Sequence, residues 1–253
     1  MTPLLSISHV SKSFGAVRSL DDINLDVASS GVLGLIGPNG AGKSTLVNVV
    51  SGAYSLETGS LSFGGHDLKR TSTAHRARLG LVRTFQKPTP VHDISSMESV
   101  TIGGLTAGMS MTKARQEALR IMGMLGLGEI AGQEARTLTT GQLKLVDLAR
   151  VLLLQPKLVL LDELMSGLSK EESDVALAAI EELVSRGISF VVIEHLMDVV
   201  RRLSHHLAVM DAGRLIATGD FETLMRDPRV IEAYLGQEAG ESHARSNRPD
   251  HRL

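Results

Sequence analysis

The chain has 253 residues and no cysteine, and its 26 Lys and Arg against 28 Asp and Glu leave a net charge of −2. That near balance argues against a duplex-DNA binder working through a broad basic face, and the missing thiols exclude disulfides, thiolate–zinc sites and cysteine nucleophiles. With five Phe, two Tyr and no Trp, a base-stacking surface is not expected, so no nucleic-acid partner is expected either.

The length fits one large α/β domain, or a domain with a smaller appendage, and is enough to bury a sizeable core. Met1-Thr2-Pro3-Leu4-Leu5-Ser6 shows no basic region leading into an apolar one, so no signal peptide is expected. No window reaches about 18 uncharged apolar residues, the length of a spanning helix. The richest, from Val151 to Leu161, is split by Gln155-Pro156-Lys157. A soluble chain is expected, with any membrane role exerted through a partner.

Residues 4–10 and 23–27 alternate apolar and polar, as antiparallel strands with one wet face do. Phe14, before Gly15, reads as a core or turn aromatic. Val32-Leu33-Gly34-Leu35-Ile36 is a buried strand by composition, and it runs into Gly37-Pro38-Asn39-Gly40-Ala41-Gly42-Lys43-Ser44-Thr45. That stretch fits G-x-x-x-x-G-K-[ST], whose glycines let backbone N–H groups turn inward around phosphate oxygens. Lys43 supplies a point charge and Ser44 a hydroxyl for Mg²⁺, and the helix beginning near Leu46 points its positive end at the anion.

Thr58 to Gly65 is a further short strand ending in a Gly turn, and 79–86 is a strand-like run that ends at Gln86. Lys87-Pro88-Thr89-Pro90 breaks it. From 87 to 137 helical periodicity takes over, with Thr112 as N-cap of a helix over Lys113 to Leu125. Leu138-Thr139-Thr140-Gly141-Gln142 opens another helix that Pro156 closes, which carries the helical subdomain to about residue 155. Leu158 to Leu161 is a strand buried on both faces, ending in Asp162-Glu163. Ligands of open parallel sheets sit outside the carboxyl ends of strands, so Asp162 is placed to hold Mg²⁺ opposite Ser44, and Glu163 to orient or deprotonate a water. Without the phosphate loop the same pair would read equally well as solvated strand-end acids.

Ser169-Lys170-Glu171-Glu172 is a capping box for a helix reaching Arg186. Ile188 to Ile193 is the next buried strand and delivers Glu194-His195 to the same sheet edge, which raises His195 as a γ-phosphate or water contact. A hairpin around Asp211-Ala212-Gly213 and two small helices follow. His66, His75, His92, His205 and His206 read as surface residues. Residues 238–253 are polar and pattern-free, the signature of a disordered tail.

This set of motifs, in this order and spacing, resembles the ATPase subunit of an ABC transporter over about residues 4–236. The resemblance implies an α/β phosphate-loop NTPase fold of ABC ATPase type. Its mostly parallel core sheet would carry an antiparallel β subdomain and an inserted helical subdomain, all within one domain over 1–237. It makes Phe14 the aromatic that stacks on adenine and Gly37–Thr45 the Walker A motif. Gln86 becomes the Q-loop glutamine, a catalytic and Mg²⁺-contacting residue. Leu138, Thr139, Thr140, Gly141 and Gln142 become the signature motif. Asp162 and Glu163 become the Walker B pair, Ser166-Gly167-Leu168-Ser169 the D-loop, and His195 the switch histidine. Ser44, Gln86 and Asp162 would serve Mg²⁺, with ATP as the nucleotide. Arg83-Thr84-Phe85-Gln86 and the ending Pro228 to Gly236 are similar to the branched-chain amino acid uptake subfamily.

The family's geometry further implies a head-to-tail pair of ATPase subunits, with the signature of one capping ATP on the other. Membrane permease subunits on the cytoplasmic face are implied too, and indirectly a substrate-binding protein. Urea or amide import and lipid export remain alternatives for cargo. A non-transport ABC ATPase is disfavoured by the single cassette and short insertion. Three departures stand out: Thr139 where Ser is usual, Leu164 where Pro follows the Walker B Glu, and Leu196 where Asp commonly follows the His.

Overall fold

The chain's architecture is given by a computed structural model that describes residues 2–84 and 93–234. Alternating apolar residues make the first layer. β1 (Leu5–Phe14) pairs antiparallel with β2 (Val17–Val27), Leu5 opposite Val27 and Ile7 opposite Leu25. These strands are longer than the alternation alone indicates, because the hairpin closes tightly between Phe14 and Val17. β4 (Thr58–Phe63) joins the other edge of β1, and the two-residue β5 (His66–Asp67) extends it, giving the order β2-β1-β4-β5.

The second layer is parallel. β3 (Val32–Ile36), β7 (Leu158–Asp162) and β8 (Ser189–Ile193) are buried at every position, as continuous apolar runs covered on both faces should be. β9 (His206–Asp211) and β6 (Leu81–Arg83) run parallel beside them, and β10 (Arg214–Gly219) returns antiparallel, in the order β10-β9-β3-β8-β7-β6. Helix α1 (Lys43–Ser51) lies between the layers. Its Leu46, Val47 and Val50 share one apolar cluster with Leu5 and Leu61 of the first sheet and Leu35 and Val191 of the second.

The run from 79 to 86 divides differently from the sequence expectation. Leu79 ends helix α2 (Thr73–Leu79), Gly80 caps it at φ +99°, and among the described residues of the run only Leu81–Arg83 form a strand. A left-handed glycine after a helix is a standard stop, and it takes the first two positions of the apparent strand. Phe85, Gln86 and His92 lie outside the described residues, as does everything from Leu235, including the expected tail.

Between β6 and β7 the described chain is helical. α3 (Ser96–Thr106) is fixed by a capping box between Ser95 and Glu98. α4 (Met111–Met124) begins at Ser110, whose hydroxyl accepts from the Lys113 N–H. The expected cap, Thr112, sits inside the first turn, since either hydroxyl residue suits a cap and Ser110 is the one with extended backbone. α5 (Thr140–Leu152) packs against α3 at close range: a Cβ on Gly103 would come 2.2 Å from the Arg150 carbonyl oxygen. Later come α6 (Lys170–Ser185), α7 (Met197–Leu203), α8 (Phe221–Leu224) and helical turns over 228–234. The capping box expected at Ser169 is present, with Glu172 as its partner. No helix among the described residues is long and apolar enough to cross a membrane.

Candidate nucleotide site

Pairing in the parallel sheet sets the site. Leu35 of β3 and Asp162 of β7 are both level with Ile193 of β8. Three adjacent strands therefore end together, followed by Gly37, Glu163 and Glu194-His195. The loop after β3 needs glycine at two points. Gly37 has φ +145° and a Cβ there would lie 2.0 Å from the Met210 carbonyl oxygen; Gly42, at φ +98°, would meet the Ser19 carbonyl oxygen at 2.5 Å. Gly42 is also the N-cap of α1 and brings no side chain to its free N–H groups. That helix end is thus left as an anion site.

Lys43 is 6 % exposed, and its Nζ donates to the carbonyls of Gly37 (2.6 Å) and Pro38 (2.9 Å). Burial pulls the ammonium below its ordinary range, and the charges of Glu163 and Asp162 oppose that. Asn39, Gly40 and Ser44 are exposed, whereas Ala41 is buried. Thr45 anchors the loop: its Oγ1 accepts from Ser19 Oγ at 2.8 Å and ties the start of α1 to β2.

Asp162 ends β7 at 4 % exposure. Burial pushes its carboxyl up from the ordinary value, with Arg83, 3.9 Å from Oδ2, the largest opposing influence. Among the described residues its Oδ1 has no hydrogen-bond partner. A buried carboxylate oxygen left unpaired is costly unless a cation meets it. The residues therefore fit Mg²⁺, a hard ion that keeps one or two carboxylates and completes its shell with water and phosphate oxygens. Next in the chain, Glu163 takes φ +52°, and its Oε1 lies 3.0 Å from His195 Nε2. The structure thus gathers Lys43, Asp162, Glu163 and His195.

Phe14 stands at the end of the first hairpin, 44 % exposed, with its ring edge-on to Tyr54 (centroids 5.2 Å apart) and the Lys12 ammonium 5.4 Å from its centre. It is a turn aromatic rather than a core one. Tyr54 is not singled out by sequence reasoning, since nothing in its polar surroundings marks it.

Leu138 to Gln142 form a separate group. Thr139 is the N-cap of α5: its hydroxyl accepts from the Gln142 N–H (3.1 Å), and its own N–H donates to Gln142 Oε1 (3.0 Å). The hydroxyl proton stays available for another acceptor. Leu138 is buried, Thr139 and Thr140 are exposed, and Gly141 packs on the turn after β7, where a Cβ would come 2.9 Å from the Gly167 carbonyl oxygen. Among the described residues no hydrogen bond joins this helix end to Gly37–Thr45. The buried charges Lys144 and Glu194 and the half-buried Arg83 are given no role in the site by the sequence. Their one signal is a charge inside or beside an apolar run.

Comparison with known proteins gives the family. Residues 20–166 match the family model described as ABC transporter, and residues 214–240 match the branched-chain amino acid ATP-binding cassette transporter model. A protein of Archaeoglobus fulgidus named probable branched-chain amino acid transport ATP-binding protein LivG is 34 % identical over 94 % of this chain and 97 % of its own length. The high-affinity branched-chain amino acid transport ATP-binding protein LivG of Escherichia coli is 31 % identical over 93 % and 98 %. Among solved structures, a nucleotide-free ATP-binding cassette from an ABC transporter superposes with TM-score 0.83 at 31 % identity, covering 92 % of this chain and 99 % of that one. The ADP conformation of such a cassette gives 0.82 at 32 %, covering 93 % and 100 %.

Proposed function

The chain belongs to the ABC transporter ATP-binding family, and we propose that within it this protein powers a permease importing branched-chain or related amino acids. The observation that carries the ATPase chemistry is the meeting of Lys43, the half-paired Asp162 and the Glu163–His195 contact at one sheet edge. The cargo assignment rests on the relatives' names and the match over residues 214–240.

Phosphoryl transfer needs positioning and charge neutralisation more than covalent chemistry. The loop N–H groups and the end of α1 receive the β- and γ-phosphates, and Lys43 turns its ammonium from the loop carbonyls toward them. Phe14 receives the adenine, with Lys12 leaving the ring face. Ser44 and Asp162, with Gln86, would hold Mg²⁺, which supplies charge neutralisation at the phosphates. Glu163 accepts a proton from the water as its oxygen bonds to the γ-phosphorus and the bond to the ADP oxygen breaks. The products are ADP and phosphate, and the proton passes to solvent. His195 keeps the Glu163 carboxylate aimed.

The γ-phosphate is completed by a second ATPase subunit, like or unlike this one. The second subunit's counterpart of Thr139 donates its free hydroxyl proton, and its counterpart of Gly141 an N–H, from a helix end with favourable dipole. The capped hydroxyl seen at Thr139 supports this, since its proton has no acceptor among the described residues. The insertion between β6 and β7 faces the permease. A groove of about 640 Å³ there includes Met97, Ile102, Leu105 and Met111, three of which are exposed apolar residues. The protein then works peripherally, on the cytoplasmic face of the membrane.

Purification from native membranes tests the reading. Recovery with a permease and an amino-acid-binding protein is expected; recovery with ribosomes or DNA would overturn it.

A further inference from the structure

We propose that Lys144 is a positioning residue for Glu163, joining the signature end of α5 to the catalytic carboxylate of the same chain. The inference rests on the ATPase reading above. Glu163 sits at φ +52°, a backbone state that non-glycine residues hold only where their surroundings over-determine it. Two contacts do so. The Glu163 N–H donates to the Ile193 carbonyl at 2.9 Å, and the Glu163 carbonyl accepts from Lys144 Nζ at 2.6 Å. The same ammonium donates to the Ser166 carbonyl, also at 2.6 Å. One charge thus closes the turn that leaves β7.

The turn is held from its other side as well. Glu194 Oε1 accepts from the Met165 N–H at 2.8 Å, and Glu194 immediately precedes His195, the residue in contact with the Glu163 carboxylate. Lys144 and Glu194 are 5 % and 3 % exposed. Burial acts against both charges, and each partly relieves the other. Buried charges give less stability than apolar side chains of similar volume would. What an ammonium adds is three directed donors, here spent on two carbonyls of one turn.

Lys144 belongs to α5, whose first turn carries Thr139 and Gly141. Gly141 leaves no room for a side chain against Gly167, so the whole turn from Glu163 to Gly167 rests on that helix. A shift of α5, when its N-terminus engages nucleotide on a second subunit, is therefore passed to the main chain of Glu163. The aim of the catalytic carboxylate then depends on whether the other half-site is filled.

The test uses full-length Lys144→Met, which keeps length without donors, and Lys144→Gln, which keeps one donor group, with Glu163→Gln in parallel. Fluorescent-ATP affinity, melting temperature, kcat and KM are read for each. Losing hydrogen bonds from a charged donor predicts a kcat about 10- to 100-fold lower for Lys144→Met. A smaller loss is expected for Lys144→Gln, with affinity and KM within about twofold of the parent in both. Wild-type kcat in either folded variant overturns the proposal. So does nucleotide affinity falling in step with kcat, or failure of both variants to fold, since each makes Lys144 merely structural. If Glu163→Gln itself retains turnover, the ATPase reading of the site fails. If Glu163→Gln is inactive while the Lys144 variants are active, the Lys144 inference alone fails.

Discussion

Arg76 offers a perturbation whose size follows from the contacts. Arg76 is 2 % exposed, and its guanidinium clamps the C-terminal end of α1. Nη1 donates to the carbonyls of Val49 (2.6 Å) and Val50 (2.7 Å), Nη2 to that of Leu68 (2.8 Å), and Nε to Thr71 Oγ1 (2.9 Å). In Arg76→Met, Val49 keeps the Gly52 N–H, and Leu68 keeps the Thr71 N–H and hydroxyl. Val50 is the acceptor that loses most. A buried carbonyl left unsatisfied costs about 1–3 kcal/mol, and a cation removed from a helix C-terminus adds about 0.3–1 kcal/mol. Relief of the desolvation that lowers the Arg76 pKa subtracts from this sum. The net is about 1–3 kcal/mol, or roughly 2–12 °C in Tm for a domain of this size. Differential scanning calorimetry should show that fall, with ATP affinity unchanged because the proposed phosphate site lies at the opposite end of α1. A Tm within about 1 °C of the parent would refute the reasoning, as would weakened ATP binding at unchanged Tm.

Three further outcomes are expected. Lys43→Ala removes the buried charge on the phosphate loop and should weaken ATP by about 10- to 100-fold in a fluorescence titration; unchanged affinity would undermine the loop's assignment. Phe14→Ala should weaken ATP by about 1–3 kcal/mol, the value of one base–aromatic stack, while leaving tripolyphosphate binding intact; equal losses for both would remove Phe14 from the base site. Gly141→Ala should displace the turn at Gly167 and lower kcat at least about tenfold, leaving ATP affinity of the single subunit unaltered; normal turnover would show that this close approach has no catalytic consequence.

The site is legible in the sequence where local rules act alone. β3, β7 and β8 are covered on both faces, so each reads as an uninterrupted apolar run, and the residues after such runs must meet at one edge. The capping box at Ser169 is a four-residue signal and reads directly. The equivalent box from Ser95 to Glu98 is equally local, yet it lies just after two prolines and merges into a general helical stretch. Ser110 and Thr112 are chemically equivalent in isolation, which is why the cap of α4 is misplaced by two residues. Leu79 reads as strand because one glycine separates it from true strand residues. Arg76, Lys144 and Glu194 are illegible for a different reason: each is buried by contacts 19 to 29 residues away or to neighbouring elements, such as Lys144 with Glu163 and Glu194 with Met165. A polar residue in a helix or at a strand end reads as surface unless those partners are known.

Gly37–Thr45 is, on this mechanism, half of an ATP site whose other half, the end of α5 at Thr139, serves a second subunit. Glu163→Gln tests this directly, because it should bind ATP without consuming it. Light scattering behind size exclusion should then give about twice the 27.0 kDa chain mass with Mg²⁺ and ATP, and a single chain mass with ADP. The same mass in both nucleotides, or turnover near that of the parent, would contradict it.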